Sequence, residues 1–201
     1  MRTQRLEAFS DGVIAIVITI MVLELRVPHA ATMHAVAELW PVFLSYVLSF
    51  VYIGIYWNNH HHMLHVTRHV DGGVLWANLY LLFWLSLVPF VTAWMGENEF
   101  ATVPVFAYGV VLLMNAIAYT VLQRAILRRE GPQSVLAEAL GSDGKGKLSP
   151  VLYALALPLA FVNRWLSCAL YVLVALIWLV PDPRIERAIA RRAATETEEE
   201  G

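Results

Sequence analysis

The sequence predicts an all-α integral membrane protein with six transmembrane helices, and three observations predict it. The first is composition. Of the 201 residues 59% are apolar and only 15% are charged, whereas soluble domains run at roughly 45–50% apolar, glycine included, and roughly 25% charged. A soluble chain of this length has too little interior to hide so much apolar surface. The second is segmentation. Apolar stretches follow one another between short polar connections, most of them near the roughly 20 residues that cross a bilayer. The third is the placement of Lys and Arg. With the N-terminus inside, only Arg26 and Arg164 of the 14 basic residues fall outside, which is the asymmetry of cytoplasmic connections. These features exclude a soluble globular enzyme, a disordered chain and a nucleic-acid binder, since a net charge of -2 offers no basic face to a polyanion.

The first span covers about residues 8–25. A cleaved signal peptide is the competing reading, with Arg2 and Arg5 ahead of an apolar run. Glu7, Ser10 and Asp11 interrupt that approach, and His29-Ala30-Ala31 is a poor cleavage pattern. The second span, about 39–64, opens with Trp40-Pro41, and proline is tolerated in a first helical turn. The third, about 74–95, contains Pro89, and the fourth covers about 102–122. The last two share one run, Leu148 to Val180. As a single helix it would be about 50 Å long, too long for a hydrocarbon core of roughly 30 Å. Asn163-Arg164 near its middle is therefore read as a tight turn at the surface, giving spans 148–162 and 165–180. The even number puts both termini in the cytoplasm and the chain in the cell membrane.

Residues 1–181 then form one six-helix unit, and 182–201 a cytoplasmic tail. Ile185–Ala194 has helical composition, and Glu196, Glu198, Glu199 and Glu200 read as a solvated acidic end. The inside connection from Arg124 to Lys147 is polar and glycine-rich, with Ser134–Leu140 long enough for a helical turn or two. The one cysteine, Cys168, lies in an apolar run and is expected to pack as a small apolar residue.

Ionisable groups in a membrane are costly unless paired or functional, so they carry the information. Arg5, Phe9, Ser10 and Asp11 open the first span. Trp57, Asn59, His60 and His61 lie late in the second span, at the same membrane face. Asp11 can accept hydrogen bonds from Trp or His, with Arg5 offsetting its charge, and such a network would pin the first helix against the second. An ordinary helix start, with Ser and Asp satisfying free N–H groups, is the plainer reading of the first cluster. His61 and His65 have the i,i+4 spacing that can chelate a metal. Adjacent His60, His61 and His62 point apart on a helix, and no metal is expected. Further along the first span, Ile16, Thr19, Ile20 and Leu23 share one helix face. The other faces are apolar too, so periodicity alone leaves lipid contact and core packing open. Thr19 has a ready local alternative, a bond to a carbonyl of its own helix.

Arg5-x-x-x-Phe9-Ser10-Asp11 at the start of a first span resembles the RxxxFSD signature of the transmembrane protein 175 family of cation channels, in its short prokaryotic form. The likeness continues through Trp57-x-Asn59-His60-His61, Asp71…Leu75-Trp76-x-Asn78-Leu79 and Pro89-Phe90-x-Thr92. His62 and His65 lie outside the pattern, and the later spans match only in general character. The resemblance implies a potassium-permeable channel without a Thr-Val-Gly-Tyr-Gly filter, assembled as a homotetramer in the bilayer, with the first helix of each subunit lining the pore. It makes Ile16, Ile20 and Leu23 the apolar constriction, with Thr19 as a polar layer beside them. Arg5, Phe9, Ser10, Asp11, Trp57, Asn59, His60 and His61 become the network that holds the pore helix. Potassium is then the permeant ion, and neither cofactor, metal nor nucleic acid is expected. A proton or sodium leak through the same fold is the alternative, with His residues near the mouth sensing pH. A non-conducting scaffold or a membrane enzyme is a third reading. For an enzyme, no Ser/His/Asp or Glu/His arrangement stands at membrane depth outside the end cluster.

Overall fold

The computed structural model describes residues 3–134, 136–137 and 144–179. The expected tail, with its helical and acidic parts, lies outside the described residues, as does most of Ser134–Leu140. Every regular element among the described residues is helical: α1 Thr3–Leu23, α2 Met33–Ala37, α3 Trp40–His65, α4 Gly72–Ser86, α5 Val88–Glu97, α6 Thr102–Glu130, α7 Gly144–Val162 and α8 Arg164–Leu179. Thr3–Leu23, Trp40–His65, Gly72–Glu97, Thr102–Glu130 and Gly144–Val162 are each long and apolar enough to cross a membrane. At 16 residues α8 is apolar but shorter, about 24 Å. The chain is thus a multi-pass, all-helical membrane protein; among the described residues five segments are long and apolar enough to cross, and α8, expected as a short last span, is apolar at 16 residues.

Apart from earlier starts of α1 and α7, three elements differ from the sequence expectation, each for a local reason. The third span is broken into α4 and α5 at Leu87. Pro89 sits in the first turn of α5 and has no N–H to give to the carbonyl of the preceding turn. Asn115 on α6 sends its Nδ2 3.4 Å to the Trp84 carbonyl beside the break. The fourth span runs eight residues past its expected end at Leu122, because Gln123–Glu130 are mostly good helix formers, and it stops where Gly131 takes φ 87°. The short α2 has no counterpart among the expected elements. Its signal is Thr32, whose hydroxyl caps the Ala35 N–H at 3.3 Å.

Asn163 does interrupt the last apolar run. Its Oδ1 accepts from the Trp165 N–H at 3.0 Å, turning the chain between α7 and α8. The two helices fold back on each other, with Ser167 Oγ donating to Ala156 O and Trp178 Nε1 donating to Ser149 Oγ. At this end Phe100 stacks on Trp40 and lies tilted against Trp165, with centroids 6.1 and 5.6 Å apart. Arg26 pairs with Glu97 at 2.6 Å nearby. The other end, here the basic end, holds Arg5, Arg68, Arg124, Arg128, Arg129, Lys145 and Lys147. There Glu130 accepts the Arg68 and His69 backbone N–H groups at 2.9 and 2.7 Å.

The interior between the ends is mainly apolar, and one of its buried polar systems ties the helices at mid-height. Ser49 of α3 bonds Thr92 of α5 at 2.6 Å and Tyr108 of α6 at 2.9 Å. The Tyr52 hydroxyl donates to Tyr171 O on α8, and the Tyr171 hydroxyl donates to Val105 O on α6. In hydrocarbon an unmet hydroxyl would be costly, so this system ties four helices together at fixed depth.

Candidate pore helix and its anchoring network

At 3.6 residues per turn, α1 divides into stripes. Leu6, Ser10, Ile14, Val17 and Met21 are buried against the subunit's own core. Ile16, Ile20 and Leu23 are 58, 43 and 78% exposed, against 4 and 1% for Val17 and Met21. Thr19 is exposed on the same side, and its hydroxyl donates to Ile16 O at 2.9 Å, within its own helix. The stripe continues downward through Phe9, also exposed, to Arg5. A helix carrying Ile and Leu on a face turned away from its own bundle has that face available to lipid or to other subunits.

The signature residues separate by direction. Ser10 points inward and Asp11 sideways, as neighbours on a helix must. Ser10 is fully buried and donates to Leu6 O at 2.9 Å. Its hydrogen is therefore committed, and it can only accept from Asn78, whose Nδ2 lies 2.9 Å away. That orientation turns the Asn78 Oδ1 toward His60 Nε2 at 2.7 Å, so Nε2 carries the ring proton. The result is a one-way cascade from α3 through α4 to the backbone of α1. His60 Nδ1 ends it, buried and without a hydrogen-bond partner among the described residues.

A second, more exposed ladder runs along α1 and α3. Trp57 Nε1 donates to Asp11 Oδ1 at 3.1 Å. One turn on, His61 Nδ1 lies 2.9 Å from Glu7 Oε1. The His61 ring also stacks on Trp57, with centroids 6.0 Å apart. Glu7 to Asp11 and Trp57 to His61 are both i,i+4 steps taken in opposite chain directions, so two rungs set the register of antiparallel helices. Thr3 adds a bond from its hydroxyl to Thr67 O at 3.1 Å.

Of the eight network residues expected from the sequence, Ser10, Asp11, Trp57, His60 and His61 are brought together in these two systems. Arg5 is exposed and makes no ion pair among the described residues. It stands six residues from Asp11, roughly 120° round the helix, so the two lie on different faces of α1. Phe9 faces outward. Asn59 donates to Ile55 O at 2.8 Å and stays on its own helix. Asn78 and Glu7 join the network without having been expected in it. Asn78 is a lone carboxamide in an apolar span, which is itself the signal. Glu7 is visible as the partner one turn from Asp11. His61 and His65 stack with centroids 6.1 Å apart, but no group of three potential ligands able to hold a metal occurs among the described residues.

Comparison with known proteins shows that this chain is similar to proteins named as channels. The family model described as "Endosomal/lysosomal potassium channel TMEM175" matches residues 5–89. A potassium channel of Chryseobacterium sp. is 52% identical over 185 residues, covering 92% of this chain and 96% of that protein. The crystal structure of a lysosomal potassium-selective channel TMEM175 homolog from Chamaesiphon minutus superposes with a TM-score of 0.78 at 31% identity, over 90% of this chain and 97% of the other. The endosomal/lysosomal proton channel TMEM175 of Gallus gallus is 41% identical over 78 residues, 32% of this chain and 16% of that protein.

Proposed function

The chain belongs to the TMEM175 family, and from that membership we propose that it is a potassium-permeable channel whose pore is lined by α1 from four identical subunits. The full-length relative from Chryseobacterium is named a potassium channel, and so is the bacterial crystal structure that shares this fold. The observation that carries the pore assignment is the outward apolar stripe of α1. Brought around a fourfold axis, Ile16, Ile20 and Leu23 would form stacked rings of stiff or bulky side chains. An apolar constriction gates by dewetting, and a small rotation or widening admits water and ions. Ile offers no oxygen to replace an ion's hydration, so the Thr19 layer and backbone carbonyls supply what coordination there is.

In this reading the two hydrogen-bonded systems hold the pore helix and lie outside the ion path. Residues 1–181 act as one channel unit with 182–201 as a tail. The basic end faces the cytoplasm of a cell membrane, following the excess of Lys and Arg there. No catalytic role is proposed, because the family is one of channels.

Purified protein in potassium-loaded liposomes tests the function. Flux down a potassium gradient, with a reversal potential following potassium over sodium and protons, is the expected result. A homogeneous, folded preparation that passes no ion would refute it. Proton permeation is the second reading, favoured by the likeness to the chicken proton channel, and a reversal potential tracking pH would select it.

A further inference from the structure

Between α3, α6, α7 and α8, on the side of the subunit core away from α1, lies a cavity of about 40 Å³. One water needs about 10–15 Å³ on this measure, so the space holds roughly three waters, or a molecule of about three or four heavy atoms. Its walls are phenol rings and an indole. Tyr56 stands edge-on to Tyr119 with centroids 6.1 Å apart, and Trp178 closes the floor through its bond to Ser149. No Asp, Glu, Lys or Arg lines it among the described residues, so it suits a neutral occupant.

The polar groups at its α3 wall are complementary to a hydroxyl. Tyr56 makes no hydrogen bond through its phenol among the described residues, so it keeps a donor. The Asn59 side chain spends only its N–H on Ile55 O, leaving Oδ1 as an acceptor. The two sit three residues apart on one helix face. Thr120 also lines the space, with its hydrogen committed to Ala116 O and its lone pairs free to accept. Water would satisfy these groups but would leave the aromatic walls wetted. An alkyl group placed against the rings removes that contact, at roughly 25 cal/mol per Å² of apolar surface.

We propose that this cavity is a binding site, separate from the α1 stripe, for a small neutral alcohol whose hydroxyl sits between Tyr56 and Asn59 and whose short alkyl chain lies on the tyrosine rings. The site rests on the walls of one subunit and does not depend on ion conduction. It borders the turn of α3 that carries Trp57 and His60, so an occupant wedges against the helix that anchors α1.

The test is protection of a cysteine placed in the cavity. Cys168→Ser with Thr120→Cys is treated with methyl methanethiosulfonate in nanodiscs, and modification is followed by intact mass, with straight-chain alcohols as competitors. Protection should increase from methanol to propanol and be lost by hexanol, because the walls set a length limit. Added Tyr56→Phe removes one hydrogen bond and should weaken propanol protection roughly two- to tenfold. Ala116→Leu, which fills the space, should abolish it. Leu155→Cys, on the exposed face of α7, reports bilayer effects and should show no length limit. Three results would each overturn the site: an unreactive thiol at position 120, which means a closed cavity; no protection by any alcohol; or protection that keeps rising to octanol as it does at position 155.

Discussion

His60 Nε2 and Asn78 Oδ1 meet at 2.7 Å, with both side chains fully buried. Each member of their cascade has one fixed role, so removing one strands its neighbour. A stranded buried group costs about 1–3 kcal/mol. Ser10→Ala and Asn78→Leu should each lower the yield of folded protein, measured by size-exclusion chromatography. The double variant should lose less than the sum of the two, because the second change removes a partner already stranded. Full additivity would show that the two side chains do not act together. Asp11→Ala, or His60→Ala with His61→Ala, should likewise reduce assembly before it alters ion preference. Normal assembly with switched selectivity would put these residues in the ion path.

The pore stripe gives the sharpest comparison. Ile16→Asn or Ile20→Asn should raise flux or open a constitutive leak with weaker preference for potassium over sodium, since a ring that holds water removes the dewetting barrier. Thr19→Val keeps shape and removes a hydroxyl from each subunit, so it should lower selectivity more than assembly. Val172→Asn and Leu176→Asn, exposed on α8, are the controls. Val17 and Met21 are unsuitable for a polar control, being buried. Equal flux changes from both sets at matched yield would remove this face of α1 from the pore.

Orientation is tested by labelling. In a Cys168→Ser background, an impermeant thiol reagent on intact cells should label Ala31→Cys and spare Arg128→Cys. The reverse pattern would invert the topology.

Two glycines should respond in opposite directions to alanine. A Cβ at Gly96 would meet the Val42 backbone at 2.8 Å and Ser45 Oγ at 2.5 Å, whereas at Gly54 it meets nothing within 4 Å. Gly96→Ala should therefore force α5 away from α3 and lower the melting temperature. Gly54→Ala should raise it slightly, by the roughly 0.5–1 kcal/mol that separates the two residues in a helix. A stable Gly96→Ala protein would mean this contact is looser than described.

Helix positions are the legible part of the sequence, because apolar runs and basic residues obey the bilayer and not the details of packing. The outward face of α1 is legible only through a family signature. Its other faces are apolar too, and no periodicity distinguishes a side chain facing a neighbour subunit from one facing lipid. The break at Leu87 follows from Pro89, yet the sequence also permits one continuous span, since a proline in a membrane helix kinks in some settings and ends the helix in others. Arg5 and Asn59 group with Asp11 only by position along the chain and by shared depth, and the helical repeat separates them. Asn78 stands out as a lone carboxamide in an apolar span, but its partners lie 18 and 68 residues away, a distance no local pattern spans.

The fastening of α1 is uneven along its length. From Thr3 to Asp11 it is held by directional bonds to Thr67, His61, Asn78 and Trp57. From Gly12 to Leu23 no hydrogen bond to another helix occurs among the described residues, and Val17 and Met21 contribute only apolar contact. The Arg26–Glu97 pair beyond its tip is solvent-exposed. The base is thus fixed by directional bonds and the upper half by apolar packing alone, as at Val17 and Met21. A tilt about that base would carry Leu23 through a wider arc than Ile16.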